Sequence, residues 1–280
     1  AGLGGVVLAV MLNSGIVTSE ELEARFGLPA LGSVPLLSSV SDPEDRHLLP
    51  SDYLVAKPLS SFAESVRALR TAMMSSRIGE RITVVAISSP LPGDGKTTAS
   101  LCLARSSAMA GLRVVLVDCD LRRRNVNRML GIEPELGLID VLNDESCLPQ
   151  ALFLDEASGA HVLPLTKNSF TPKDVFASAA MARLTDRLRS MYDLVIFDTA
   201  PVLAVSDTRM LAGLADTTVL LVQWRKTPEK AVTASLRILE HIGAVVGGLA
   251  LTQVDMKKQA RYGYGDAGYY YSEYQKYYTT

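Results

Sequence analysis

The stretch ITVVAISSPLPGDGKTTAS, residues 82–100, sets the architecture of the chain. Its first half is a run of β-branched and small apolar residues without polar alternation, the pattern of a strand buried on both faces. Then the composition changes, and prolines and glycines make a turn that leads into a helical pattern from about Thr97. Gly93 and Gly95, flanking Asp94, let backbone N–H groups close around phosphate oxygens. Lys96 adds a point charge, while Thr97 and Thr98 bring hydroxyls to a helix N-terminus, where Thr97 is placed to meet magnesium. A strand, a glycine loop and a helix in this order describe a P-loop for ATP and Mg2+. The first glycine of the usual G-x-x-x-x-G-K-[ST] pattern falls on Pro90, so the match departs from it at one position.

Downstream, RVVLVDCD, HVLPL, DLVIFDT, TTVLLVQW and VGGLALTQV are further apolar runs separated by helical patterns. Such alternation predicts an α/β fold of three layers around a mainly parallel sheet. Two of the runs end in acids. In VVLVDCDLRRR the period-two alternation of a strand puts Asp118 and Asp120 on the same side at its carboxyl end, with Cys119 turned away as a small buried filler. In DLVIFDTAP a buried strand delivers Asp198, at the place where an acid orients magnesium through water in P-loop proteins. Carboxylates so placed can hold a hydrated cation or accept a hydroxyl proton.

Before the P-loop, TSEELEARFG reads as a short helix capped by Thr18 or Ser19 and ended by Gly27. The LPALGSVPLLSSVSDPEDRHLLPSD segment after it has prolines and polar residues without a sustained period, which by composition is a linker. LSSFAESVRALRTAMMSSR then has Phe62, Val66, Leu69 and Met73 on one helical stripe. The chain starts with AGLGGVVLAVMLN, an apolar run shorter than the roughly 20 residues a membrane span takes. It fits either a buried first element or the end of a transmembrane helix. At the other end, eight of the ten tyrosines gather at Tyr262, Tyr264, Tyr269, Tyr270, Tyr271, Tyr274, Tyr277 and Tyr278, in a Gly-rich segment that patterns as neither helix nor strand.

The totals narrow the partners. A 280-residue chain with 48% hydrophobic composition builds one good-sized core plus appendages. A formal net charge of -2 gives no reason to expect nucleic acid. Three cysteines and three histidines, none at metal-ligand spacing, indicate a reducing compartment and no zinc site.

The residues PGDGKTT, VVLVDCDLR and VIFDTAP resemble the Walker A, A′ and B motifs of the bacterial protein-tyrosine kinases that work in capsule and exopolysaccharide export. The run Asp118, Asp120, Arg122 is the discriminating one. Partition and cell-division-site ATPases carry a signature lysine early in the P-loop, where this chain has Leu91 and Pro92. The resemblance implies a non-specific protein-tyrosine autokinase that phosphorylates its terminal tyrosines between the subunits of a ring-shaped homo-oligomer. By the same resemblance Lys96, Asp118, Asp120, Asp198 and Arg122 are catalytic, and Thr97, Asp120 and Asp198 hold magnesium, partly through water. Asp118, at the edge of the site, is the candidate to accept the tyrosine proton, and Arg122 orients carboxylates or touches phosphate. Glu64, Arg67 and Arg70 in ESVRALR resemble a ring-assembly helix. GLPALGSVP resembles the segment that comes after a transmembrane helix in polysaccharide copolymerases, which turns residues 1–12 into the end of such a helix. The implied division is 13–50 as juxtamembrane segment and linker, 51–255 as kinase domain and 256–280 as tail. The implied partners are the polysaccharide export and polymerisation machinery, a protein-tyrosine phosphatase and the bacterial inner membrane, with this region cytoplasmic. Phe170 and Thr171 depart from the family's residues before Pro172. Thr252 stands where relatives place an asparagine near the adenine, so the base contact is unassigned. The rival reading is an ATPase switch or scaffold that modifies no protein.

Overall fold

The computed structural model describes residues 15–76, 81–167 and 174–261. The expected membrane-helix stub, all eight clustered tyrosines and the departures at Phe170 and Thr171 lie outside these residues. Among the described residues no helix is long and apolar enough to cross a membrane.

Eight strands form one sheet in the order β1-β8-β7-β2-β6-β3-β5-β4. They are β1 (Ala30–Pro35), β2 (Val84–Ser88), β3 (Val114–Asp118), β4 (Phe153–Asp155), β5 (Ala160–Leu163), β6 (Leu194–Asp198), β7 (Thr217–Gln223) and β8 (Val246–Val254). Every pairing is parallel except β4 with β5 at one edge. The runs read as buried strands are strands, and they are buried because both faces are covered. On β2, Val85 and Ile87 join one core with Phe62, Val66, Leu69 and Met73. Val84 and Ala86 point the other way and join Leu184 and Leu188. Period-two alternation therefore supplies both halves of the three-layer core.

The first helix, α1 (Ser19–Phe26), is capped as its sequence predicts: the Thr18 hydroxyl accepts from the Glu21 N–H at 3.1 Å, and Gly27 ends the helix at φ 65°. Past α2 (Leu37–Val40) and α3 (Pro50–Ala56), the striped helix is α4 (Ser61–Met74), and α5 (Lys96–Met109) leads out of the P-loop. After α6 (Asn125–Leu130), α7 (Leu138–Asn143), α8 (Leu148–Ala151) and α9 (Ala179–Met191), the helix α10 (Asp207–Leu214) flanks the site. The chain continues through α11 (Glu229–His241) and α12 (Met256–Arg261).

The segment read as a linker is part of the sheet. Ala30–Pro35 forms β1 and pairs in parallel with β8, and the Leu36 N–H donates to the Val254 carbonyl at 2.9 Å. Gly32 and Pro35 disguise it, but an edge strand tolerates both residues because only one of its sides is paired. The three-residue β4 was missed for its brevity.

One buried ion pair ties the P-loop helix to the sheet edge. Arg105 on α5 is 4% exposed and grips Asp155 of β4 with both Nε (2.9 Å) and Nη2 (3.1 Å), while its Nη1 reaches Asp52 of α3 at 2.6 Å. Removing one partner of such a pair strands a desolvated charge. Arg105→Ala is expected to lower unfolding stability by about 3–5 kcal/mol, read from urea titration. A loss below about 1 kcal/mol would mean that water reaches Asp155 and satisfies it.

Candidate nucleotide site

The site sits at the carboxyl ends of β2, β3, β6 and β8. After β2 the chain turns through Gly93 (φ 90°) and Gly95 (φ 89°), both in the left-handed region that glycine enters without strain. Gly95 is the N-terminal cap of α5, so the loop amides and the positive end of the helix face the same space. Lys96 is 7% exposed, and its Nζ donates to Ser89 Oγ at 3.1 Å. Burial lowers its pKa, while the carboxylates of Asp198, Asp120 and Asp94 oppose that shift.

Two of the acids are placed differently from what the sequence suggests. Asp94 turns inward: its Oδ1 accepts from Thr227 Oγ1 at 2.9 Å and its Oδ2 from the Leu91 N–H at 3.1 Å. Burial raises its pKa against those hydrogen bonds. The Asp94 side chain is thus a brace of the loop, which leaves only its backbone for a bound anion. Thr252 is a second brace, donating to the Asp94 carbonyl at 2.7 Å. Gln253 is a third, its Nε2 donating to the Gly93 carbonyl at 2.8 Å while its Oε1 accepts from Gln223 at 2.9 Å. Gln253 holds a left-handed backbone, φ 54°, to do so. Thr227→Val would leave one Asp94 oxygen buried without its donor. It is expected to cost about 1–3 kcal/mol of stability and to weaken binding of a non-hydrolysable ATP analogue. Unchanged affinity would show that the loop holds its shape without the brace.

Asp118 and Asp198 lie side by side in the β3–β6 register and are 0% and 1% exposed. Asp198 Oδ1 accepts from Ser100 Oγ at 2.9 Å, and its carboxylate also accepts from Thr97. Asp118 Oδ1 accepts from the Asp120 N–H at 3.2 Å. The second oxygen of each, Asp118 Oδ2 and Asp198 Oδ2, is buried without a partner. Burial pushes Asp198 up to about 6, and burial with the neighbouring Asp198 charge pushes Asp118 well above the usual carboxylate range. The expectation that Asp118 lies at the edge of the site is therefore corrected: the sheet closes over it completely. Asp120, 8% exposed, is the carboxylate that reaches the cavity.

Among the described residues no group of three or more His, Cys, Asp or Glu side chains is arranged around a common metal position. The donor set nevertheless fits magnesium, which keeps several waters and takes only one or two protein oxygens beside substrate phosphates. Two orphaned carboxylate oxygens and the Thr97 hydroxyl are hard donors of that kind.

A cavity of about 770 Å³ opens over this arrangement, lined by Gly93, Gly95, Lys96, Thr97, Thr98 and Asp120 at its polar end. Pro35 and Leu36, from the segment expected to be a linker, wall its apolar end with Phe62 and Cys102. Thr252 and Gln253 line it too, but their side chains are committed to the loop. Arg122 lines the rim and lies 3.5 Å from Asp207 of α10. It therefore faces α10 and not the Asp118–Asp198 pair. Sequence reasoning missed Ser100, Ser89, Thr227 and Gln253. Ser100 alone left a signal, one helical turn after Lys96 and so on the same face of α5. Of the proposed assembly residues, Glu64 pairs with Arg67 Nε at 2.8 Å, and Arg70 is turned to the Ser106 carbonyl and hydroxyl of α5.

Comparison with known proteins places this arrangement. The AAA domain profile matches residues 82–245, more than half of the chain. YwqD of Bacillus subtilis, a tyrosine-protein kinase, is 30% identical over 210 residues, covering 75% of this chain and 89% of that protein. The chain belongs to the bacterial tyrosine-protein kinase family. The kinase domain of Escherichia coli tyrosine kinase ETK superposes with a TM-score of 0.76 at 28% identity, covering 86% of this chain and 95% of that one. ExoP of Rhizobium meliloti, a succinoglycan biosynthesis transport protein, is 31% identical over 81% of this chain and 30% of its own length. The chain spans 30–38% of the length of such longer relatives. In this chain the braced loop and the buried Asp118–Asp198 pair lie together at the P-loop, while Asp120 and Arg122 line the cavity.

Proposed function

We propose that this chain is the catalytic region of a protein-tyrosine autokinase that transfers the γ-phosphoryl of ATP to the tyrosines of residues 262–278, between subunits of a homo-oligomer. The observation that carries the reading is the pair of partnerless carboxylate oxygens of Asp118 and Asp198, buried at the strand ends behind the Lys96, Thr97 and Asp120 that line the cavity. Buried acids without partners are costly, and magnesium–ATP supplies what they lack. Lys96 and the loop amides hold the β and γ phosphates. Thr97, Asp198 and Asp120 would hold the magnesium, which would neutralise charge on the transferring group. Asp120 reaches the cavity and receives the hydrogen bond of the incoming phenol. Asp118 acts from behind, fixing Asp120 through its backbone N–H.

Past α12, residues 262–280 could reach roughly 65 Å at most, enough to enter a neighbouring subunit. Glu64 and Arg67 on α4 are the contact we assign to the ring, with Arg70 holding α4 to α5 beneath it. Similarity to ExoP, a succinoglycan biosynthesis transport protein, supports a role in exopolysaccharide export; action at the bacterial inner membrane, and a phosphatase that reverses the reaction, complete the reading we propose. The test is tandem mass spectrometry of the chain incubated with magnesium and ATP. Several phosphates on residues 262–278 are expected. ATP hydrolysis without any phosphotyrosine would sink the reading and favour a switch ATPase.

A further inference from the structure

Beside the nucleotide cavity lies a second concavity, of about 570 Å³, that the proposed phosphoryl transfer does not use. Arg122, Arg123, Arg124 and Arg128 line it, with Glu133 as the one acid. The arginines are weakly spoken for. Arg124 and Glu133 are 3.8 Å apart, and Glu133 is shared with Lys167 at 3.3 Å. Arg128 donates to Asn125 on its own helix. Arg123 has no ion pair among the described residues, and its charge depresses the pKa of Lys96, which puts it within electrostatic reach of the P-loop. Arg122, Arg123 and Arg128 line both cavities, so the two are contiguous. Four guanidinium groups around one space suit a doubly charged, three-oxygen anion better than a carboxylate.

The neighbourhood points to a peptide-borne anion. Ile132 gives the concavity an apolar wall for an aromatic ring, which inorganic phosphate lacks, and Asn127 beside it keeps its buried Oδ1 without a partner. The chain itself carries tyrosines in contiguous runs, Tyr269–Tyr270–Tyr271 and Tyr277–Tyr278. Adjacent side chains of an extended segment diverge to opposite sides. With one phenol at Asp120, the next side chain points away from the nucleotide, and a contiguous basic site stands ready for it.

We propose that the concavity of Arg122, Arg123, Arg124 and Arg128 binds a phosphotyrosine of the terminal segment, so that a tail phosphorylated once becomes the preferred substrate for the next transfer. This rests on the autokinase reading for its consequence, but not for its binding step. A phosphotyrosine carries about -1.5 to -2 charge at neutral pH, and seating it on the arginines retains the tail while a neighbouring tyrosine is presented. The tail would then fill in clusters, not at random.

The test uses the full chain, saturated with magnesium and a non-hydrolysable ATP analogue so that the P-loop is occupied. Fluorescence anisotropy compares synthetic peptides of residues 265–280 that carry either no phosphate or one on Tyr271. We expect the phosphopeptide to bind about tenfold more tightly, as charge-assisted hydrogen bonds allow. Arg124→Gln, a residue outside the nucleotide cavity, should erase the preference. Glu133→Gln, which frees Arg124, should raise it about threefold. Equal affinity for both peptides, or a preference that Arg124→Gln leaves intact, overturns the proposal. So does Arg124-dependent binding to phosphatidylglycerol vesicles without any phosphopeptide preference, which would assign the patch to a membrane surface. Because binding is read without turnover, a chain that binds the phosphopeptide yet transfers no phosphate would fail the autokinase reading and leave this site standing.

Discussion

Lys96→Met is expected to lower tyrosine phosphorylation of the chain roughly 10²–10³-fold, the usual cost of removing one charge-stabilising group from a preorganised site. Lys96 is nearly buried and held by Ser89, so its ammonium is aimed before substrate arrives and needs no reorganisation at the moment of transfer. Methionine keeps the apolar length of the side chain and deletes the charge, which separates electrostatics from packing. A chain ending after Gln259 keeps β8 and most of α12 but has no clustered tyrosine to accept phosphate. Mixed with Lys96→Met, it should restore phosphate to the variant's tail if transfer runs between subunits. Mass spectrometry of the mixture distinguishes the two chains by mass. Phosphate on Lys96→Met alone at the wild-type level would mean that another group, with Arg123 the nearest candidate, supplies the charge.

The parts of this site that the sequence announced are those whose chemistry is local. Gly93 and Gly95 are needed for their backbone angles, Lys96 and Thr97 for their place at a helix start, and Asp198 for its place at a strand end. Each of these depends on neighbours within a few residues. What remained hidden depends on distant segments: Thr227 and Thr252 reach the P-loop only because β7 and β8 lie on the same side of β2 in the sheet, an order that no local pattern encodes. The same cause misplaced Asp94 and Asp118. An acid in a glycine loop and an acid at a strand's end both look exposed in sequence, whereas the first is turned in by Thr227 and the second is covered by the β3–β6 pairing. The edge strand β1 was lost for a different reason. Strand propensity describes a half-buried pleated surface, and ALGSVP carries a glycine and a proline that only an edge accommodates. Its presence also changes the site, since Pro35 and Leu36 form part of the cavity wall.

Asp118→Asn should stabilise the magnesium-free, nucleotide-free chain at pH 8 while abolishing most of its activity. The Asp118 carboxylate has one oxygen without a partner, no exposure, and Asp198 beside it. Both pKa values are raised, Asp198 to about 6. The folded state therefore holds protons that the unfolded chain releases near pH 4, and the pair's contribution to stability is greatest below that pH and declines as pH rises through the folded values. As pH rises, the wild-type chain carries more of the cost of burying the pair as charges, and a neutral amide removes one of them at nearly the same volume. A gain in stability is therefore expected, in the direction set by the raised Asp118 pKa. It should appear as a higher Tm. At pH 4, where the wild-type pair is largely protonated, the gain should vanish. Calorimetry in chelator at both pH values reads this directly. Adding magnesium and the ATP analogue should then invert the order, because ligand stabilises the wild-type carboxylates and offers less to the amide. Destabilisation by Asp118→Asn at pH 8 in chelator would show that the carboxylate is already satisfied inside the fold, and would remove the argument that this pair is strained in readiness for a cation.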